Sequence, residues 1–231
     1  MGFYLKDVPG IFEGLLWGLR TTVILTILIM AIAMVLALPL ALARMSRQRV
    51  FRYPATLIVQ VLRGTPMLLQ LFYLYYVLPF AGIKLNPWLA GIAGMSVNGA
   101  AYLSEIYRGG IQAIDHGQTE AALSIGMSRY QVMRIVVLPQ AFKITIPPIS
   151  NQFIGLFKDT SLLSILTIQE LMYTGQIMAA TSFRFITIFS IIMLMYLAVC
   201  WPTATMIDVL ERRLKSLPPE NSPRRLKSRF M

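Results

Sequence analysis

The run TTVILTILIMAIAMVLALPLALA, from Thr21 to Ala43, decides the fold class, because it holds 23 consecutive residues without a charge. A helix rises about 1.5 Å per residue, so roughly 20 apolar residues cross a hydrocarbon core about 30 Å thick. This run is long enough to span. It is also too long, and begins too far along the chain, for a cleaved signal peptide, and no small-residue cleavage pattern follows it. It reads as a permanent anchor.

Working outward, Phe185 to Ile207 is a second uncharged run of 23 residues, and Gly64 to Ile83 and Leu85 to Ser104 hold 20 each. The span containing Gly64 to Ile83 is expected to begin earlier, near Pro54. Ile144 to Phe157 is shorter, at 14 residues. Lys143 can snorkel at its base, and apolar Ile135 to Leu138 lies just before it. Five transmembrane helices are therefore predicted, in an all-α integral membrane protein. For the fourth, a re-entrant or interfacial segment is the alternative, because Pro147 and Pro148 disfavour a straight helix.

Composition agrees. Of 231 residues, 56% are apolar and 13% charged, with a mean hydropathy of +0.64; a soluble domain carries about a quarter charged residues. The single cysteine, Cys200, excludes an intrachain disulfide and any CxxC site. His116 stands alone, with no second imidazole for a zinc or haem pair. The net charge of +11 comes from basic residues set between the oily runs, not gathered on one face, which argues against nucleic acid as partner.

Those basic residues orient the chain, since Lys- and Arg-rich connections stay cytoplasmic. Arg44, Arg47, Arg49 and Arg52 follow span one. Arg108, Arg129, Arg134 and Lys143 lie between spans three and four. Arg212, Arg213, Lys215, Arg224, Arg225, Lys227 and Arg229 follow span five, making fifteen on one side. Lys6, Arg20, Lys84, Lys158 and Arg184 make five on the other. The N-terminus is predicted outside and the C-terminus cytoplasmic. Residues 1–210 form the membrane domain, and 211–231 a basic cytoplasmic tail that reads as solvated and disordered near anionic headgroups.

The long cytoplasmic connection, Glu105 to Lys143, reads as two short helices. Asp115 and Gln118 form a plausible capping pair, Gly126 suits a left-handed stop, and Ser128 with Gln131 opens a second helix that Pro139 should end. That helix would put Tyr130, Met133 and Val137 on one stripe. Ala121, Ala122 and Gly126 would let another surface approach the backbone closely, with Glu120 free for a polar contact. An amphipathic helix lying on the membrane is the other reading.

EAALSIG (120–126), followed by Leu138-Pro139, resembles the EAA loop of ATP-binding-cassette importer permeases, the element that seats in a groove of the ATPase subunit. RGTPMLLQL (63–71), AYLSEIYRGG (101–110), Gly117-Gln118, and Asn151 followed by KDTSL (158–162) look like signatures of the polar amino-acid uptake branch. The similarity runs from about Thr21 to Leu210. It implies a type I importer permease fold with cytoplasmic coupling helices in loop 117–139, where Gly117, Glu120, Ala121, Ala122, Gly126, Leu138 and Pro139 would meet a pair of ATPase subunits. It also implies a second copy of this chain or a related permease, an external substrate-binding protein, and an amino-acid substrate. ATP and Mg would be bound by the ATPase alone; this chain has no GxxxxGK[ST] phosphate loop and needs no cofactor of its own.

Polar groups inside the oily runs are the pathway candidates. Arg63 lies ten residues beyond Tyr53, about 15 Å up a straight helix and close to the midplane. Pro66 should then kink or break the helix and free backbone groups beside Thr65 and Gln70. Arg63 would suit a substrate carboxylate, or it pairs structurally with an acid such as Glu105. Lys158, Asp159 and Thr160 form a second cluster, either solvated or part of an outer gate. Asn98, Asn151 and Gln152 need hydrogen-bond partners, from neighbouring helices or substrate. Phe72, Tyr73, Tyr75 and Tyr76 read as an interfacial belt. Glu170 is placed on an external helix along the membrane, without chemistry. A transport subunit is the main reading; an ion-coupled secondary transporter or channel using Arg63, Glu105 and Asp159 is the alternative. An enzyme is not supported.

Overall fold

The computed structural model describes residues 8–215, and among them the chain is helical with no strand. Helix α1 (Val8–Met45) runs through the whole first oily segment, with Pro39 inside it. Helix α2 (Arg49–Gly64) is followed by α3 (Met67–Phe72), which continues as a π turn (Tyr73–Val77) and a 3-10 turn (Leu78–Ala81). Helix α4 (Pro87–Gln112) starts where Leu89 N donates to the Asn86 side chain at 2.7 Å, with Pro87 in its first turn.

The connection between α4 and α7 contains α5 (His116–Ser124) and α6 (Arg129–Gln131), the latter running through a π turn (Val132–Val137) into α7 (Leu138–Asp159). A 3-10 segment (Thr160–Leu166), α8 (Leu171–Ser182) and α9 (Phe185–Lys215) complete the described chain. The tail beyond Lys215 lies outside the described residues.

Small side chains decide which helices lie closest. Ala33 and Ala37 on α1 and Ala100 on α4 are fully buried, so these two helices pack tightly along their length. Leu25, Ile29, Met95, Leu103, Leu156, Leu163 and Leu166 form the main core around that seam. A second core joins α1, α8 and α9 through Ile11, Leu15, Leu171, Ala179, Ile188 and Ile192. Large apolar residues left outside, such as Val35, Leu42, Met193 and Trp201, coat the surface.

Among the described residues, three helices are long and apolar enough to cross a membrane, Gly10–Met45, Arg129–Leu166 and Phe185–Arg213, and a fourth is added if the pair Arg49–Gly64 and Met67–Ala81 counts as one broken span. At 26 residues α4 is long enough but less apolar. The segment expected to span from near Pro54 turns by 105° between Gly64 and Met67, at the break expected beside Pro66. α3 runs alongside α4, with Leu71 and Leu74 against Gly94, so α2 lies across it. α2 is amphipathic, as such a placement needs. The fourth predicted span departs in the other direction, since α7 stays helical through both Pro147 and Pro148.

Glu170 is not the exposed acid that a helix along the membrane surface would carry. It is fully buried and caps α8, accepting hydrogen bonds from Met172 N at 2.9 Å and Tyr173 N at 2.7 Å. Thr22 Oγ1 on α1 donates to Glu170 Oε2 at 3.4 Å and accepts from Leu171 N at 3.1 Å. Gly18 makes this approach possible, because a Cβ there would lie 2.8 Å from the Leu171 Cα.

Candidate functional site

Two places gather the residues singled out from sequence: the α5–α6 hairpin and the α2–α3 break. In the hairpin, Gly117 N donates to Asp115 Oδ1 at 2.6 Å and starts α5. Asp115 therefore caps alone, without the Gln118 partner expected. α5 ends in a Schellman-type stop, with Gly126 at φ +86° and Met127 N donating to Ala122 O at 3.2 Å. Ser128 and Gln131 make the expected reciprocal box, Ser128 N donating to Gln131 Oε1 at 2.8 Å and Gln131 N to Ser128 Oγ at 3.3 Å.

The hairpin closes on its own small core of Ala122, Val132 and Val137, with Ile111 and Ile114 packed against it. The predicted stripe is corrected here. Val137 is buried, but Tyr130 is 70% exposed and Met133 faces outward, because the chain opens into a π turn that rotates the register. Pro139 does not end the helix either. Leu138 N donates to Met133 O, one residue farther than α spacing, and the widened turn admits the proline in the first turn of α7. Outward from this core stand Gly117, Glu120, Ala121, Gly126, Leu138 and Pro139, all exposed, together with Ile125 and Tyr130. The result is a closed knob with a small-residue and apolar face and Glu120 at its edge.

At the break, Thr65 is extended (φ −116°, ψ 145°) and Pro66 caps α3. The helical partner of the Leu62 carbonyl would be the N–H of residue 66, which proline lacks. Two amides replace it: Gln70 Nε2 donates to Leu62 O at 2.7 Å and Asn98 Nδ2 at 3.1 Å. Asn98 Nδ2 also donates to Gln70 Oε1 at 3.0 Å, and Gln70 Nε2 to Thr65 Oγ1 at 2.8 Å. Thr65, Gln70 and Asn98 are thus brought together.

Arg63 is not where a straight helix would put it. It reaches down α4 to Glu105, Nη1 to Oε1 at 3.2 Å, and stacks over the Tyr102 ring at 5.2 Å. Arg44 Nη1, in the last turn of α1, meets the same oxygen at 2.5 Å, and Arg108 Nη2 meets Oε2 at 2.7 Å. Arg63 is therefore level with the end of α1, because α2 lies across and adds little height. The pairing with Glu105 is the structural alternative named above. Arg108 was readable at i+3 from Glu105; Arg44 was not, being 61 positions away.

The second polar cluster stays apart. Lys158 and Asp159 are exposed at the end of α7, and Thr160 is buried with Oγ1 donating to Phe157 O at 2.7 Å. Leu163, just beyond them, packs against Gly91, about 10 Å along α4 from Asn98. Asn151 is exposed and Gln152 half-buried, midway along α7. Tyr76 OH donates to Ile165 O at 3.1 Å, joining α3's π turn to the 3-10 segment. Among the described residues no group of His, Cys, Asp and Glu could hold a metal ion.

Against known proteins, residues 33–216 match the family described as binding-protein-dependent transport system inner membrane component. A probable amino-acid ABC transporter permease protein of Bacillus subtilis, YckA, is 36% identical over 87% of this chain and 89% of its own. The L-cystine transport system permease protein TcyB of the same organism is 40% identical over 85% of each chain. A crystal structure of an amino acid ABC transporter with histidines superposes with a TM-score of 0.88 at 32% identity, covering 92% of this chain and all of that one.

Proposed function

The chain belongs to the family of binding-protein-dependent transport system inner membrane components, and from that premise we propose how its parts divide the work of an importer. It is the membrane permease subunit of an amino-acid ABC importer, a transport component and not an enzyme; a separate ATPase hydrolyses ATP. Membership implies that ATPase and a substrate-binding protein as partners.

The chain crosses the inner membrane five times, with α3 and α4 among the spans, the N-terminus outside and the C-terminus in the cytoplasm. The charge asymmetry supports this orientation. The knob of residues 117–139 seats in a pair of ATPase subunits, which bind ATP and Mg, and a second permease, the same chain or a relative, completes the pathway. Nucleotide binding draws the knobs together, and α7, continuous with α6, carries that motion into the membrane as a lever, giving alternating access. The pathway passes the α2–α3 break beside Thr65, Gln70 and Asn98 and the α7 face bearing Asn151, Gln152 and Lys158 to Thr160. Arg63, engaged by Glu105 and Tyr102, is read as structural.

The observation that carries the coupling role is the closed hairpin core, which leaves Ala121 and Gly126 outward on the exposed face of the knob. Replacing Ala121 by Trp adds bulk at an exposed site without touching that core. In vesicles holding the permease with its ATPase, Ala121→Trp is expected to cut amino-acid uptake by about tenfold, the equivalent of roughly 1.4 kcal/mol, while the complex's thermal unfolding stays unchanged. Gly126→Val should do the same, with added strain at positive φ. Full uptake and ATP coupling in Ala121→Trp would refute the docking role.

A further inference from the structure

Three guanidiniums, those of Arg44, Arg63 and Arg108, share the one carboxylate of Glu105. Within the cluster, two positive charges are left without an acid. The Arg63 and Arg108 side chains remain 41% and 31% exposed and can take a further anion. Arg44 is 10% exposed, and its buried Nε–H has no acceptor. Glu105 therefore does not exhaust the donors gathered around it.

An apolar groove of about 400 Å³ runs between α1, α2 and α4, walled by Leu36, Leu40, Ala43, Ile58, Leu62 and Val97. Its last residues on α1 and α2, Ala43 and Leu62, are each followed directly by one of the clustered arginines. An oily slot and a cationic end thus share the last turns of α1 and α2. The cluster stands at the end of α1 where the uncharged run stops and basic residues begin, the level of lipid headgroups. A soluble anion would satisfy the arginines but leave the slot unfilled. A zwitterionic lipid would fill the slot but bring an ammonium into the field of two excess positive charges.

We propose that this groove seats an anionic phospholipid, its phosphate held by Arg63 and Arg108 and one acyl chain lying between α1 and α2. Guanidinium and phosphate pair through charge-assisted hydrogen bonds, and each buried methylene adds to retention. The occupant is a lipid, so its binding is read separately from uptake and does not depend on the transport reading.

The test uses the full permease–ATPase complex in detergent, titrated with phosphatidylglycerol or phosphatidylcholine, with bound lipid counted by native mass spectrometry. Phosphatidylglycerol is expected to be retained about tenfold more tightly, and Arg63→Gln or Arg108→Gln to abolish that preference. Arg63→Lys, which keeps the charge, should preserve most of it, separating charge from fold. Ala43→Phe, outside the arginine cluster, should lower retention by filling the slot. Equal retention of the two lipids by the unmodified complex, an unchanged preference in Arg63→Gln, or displacement of the lipid by equimolar inorganic phosphate would each overturn the proposal.

Discussion

Prolines within the oily helices have opposite outcomes at two places. At Pro66 the chain turns by 105°, whereas α7 carries Pro147 and Pro148 without interruption. Each proline removes one N–H and releases the carbonyl four residues earlier. At Pro66 that carbonyl, of Leu62, is met by the Gln70 and Asn98 amides, and the preceding Thr65 takes an extended conformation. Along α7 the released carbonyls belong to Lys143 and Ile144, exposed residues, and Ile146 stays helical. Proline creates the option of a break, and side-chain donors positioned to take the freed carbonyl make the break permanent.

The largest test of this comparison removes the donor. Gln70→Leu strips Leu62 O and Thr65 of one amide and leaves Asn98 only Leu62 O as an acceptor, so the complex should lose about 2–3 kcal/mol, read as a lower unfolding midpoint. A loss below about 0.5 kcal/mol would show that the amides follow the bend and do not hold it. Pro66→Ala should matter less. It restores an N–H to Leu62 O, but the bend is expected to persist in spin-label distances between α2 and α3, with a stability change near 1 kcal/mol. A straightened helix would return the decision to proline. Pro147→Ala should have the smallest effect, under about 1 kcal/mol, because α7 is already helical through both prolines. A larger change, or lost transport, would mean that α7 depends on its prolines.

Local chemistry was legible in the sequence. The long apolar runs located α1 and α9, Gly126 and the Ser128–Gln131 box fixed the hairpin's turns, and Pro66 announced a break. What lay hidden depended on distance along the chain or on a changed helical period. Glu170 looked like a surface acid until Thr22, 148 positions away, arrived beside it through the gap at Gly18. The Tyr130–Met133–Val137 stripe assumed 3.6 residues per turn across a segment that adopts π spacing. Both π turns precede a proline, Pro79 or Pro139, a signal that a count of apolar positions does not contain. The height assigned to Arg63 failed for a similar reason, since rise per residue lifts a side chain only when the helix points the right way.

The Thr22 hydroxyl gives to Glu170 and receives from Leu171, so one atom stitches two backbones with its donor and acceptor both committed. Peeling α8 from α1 would strand a carboxylate in oil. In a transport cycle that corner of the protein is expected to travel as a single piece, which places the hinge elsewhere.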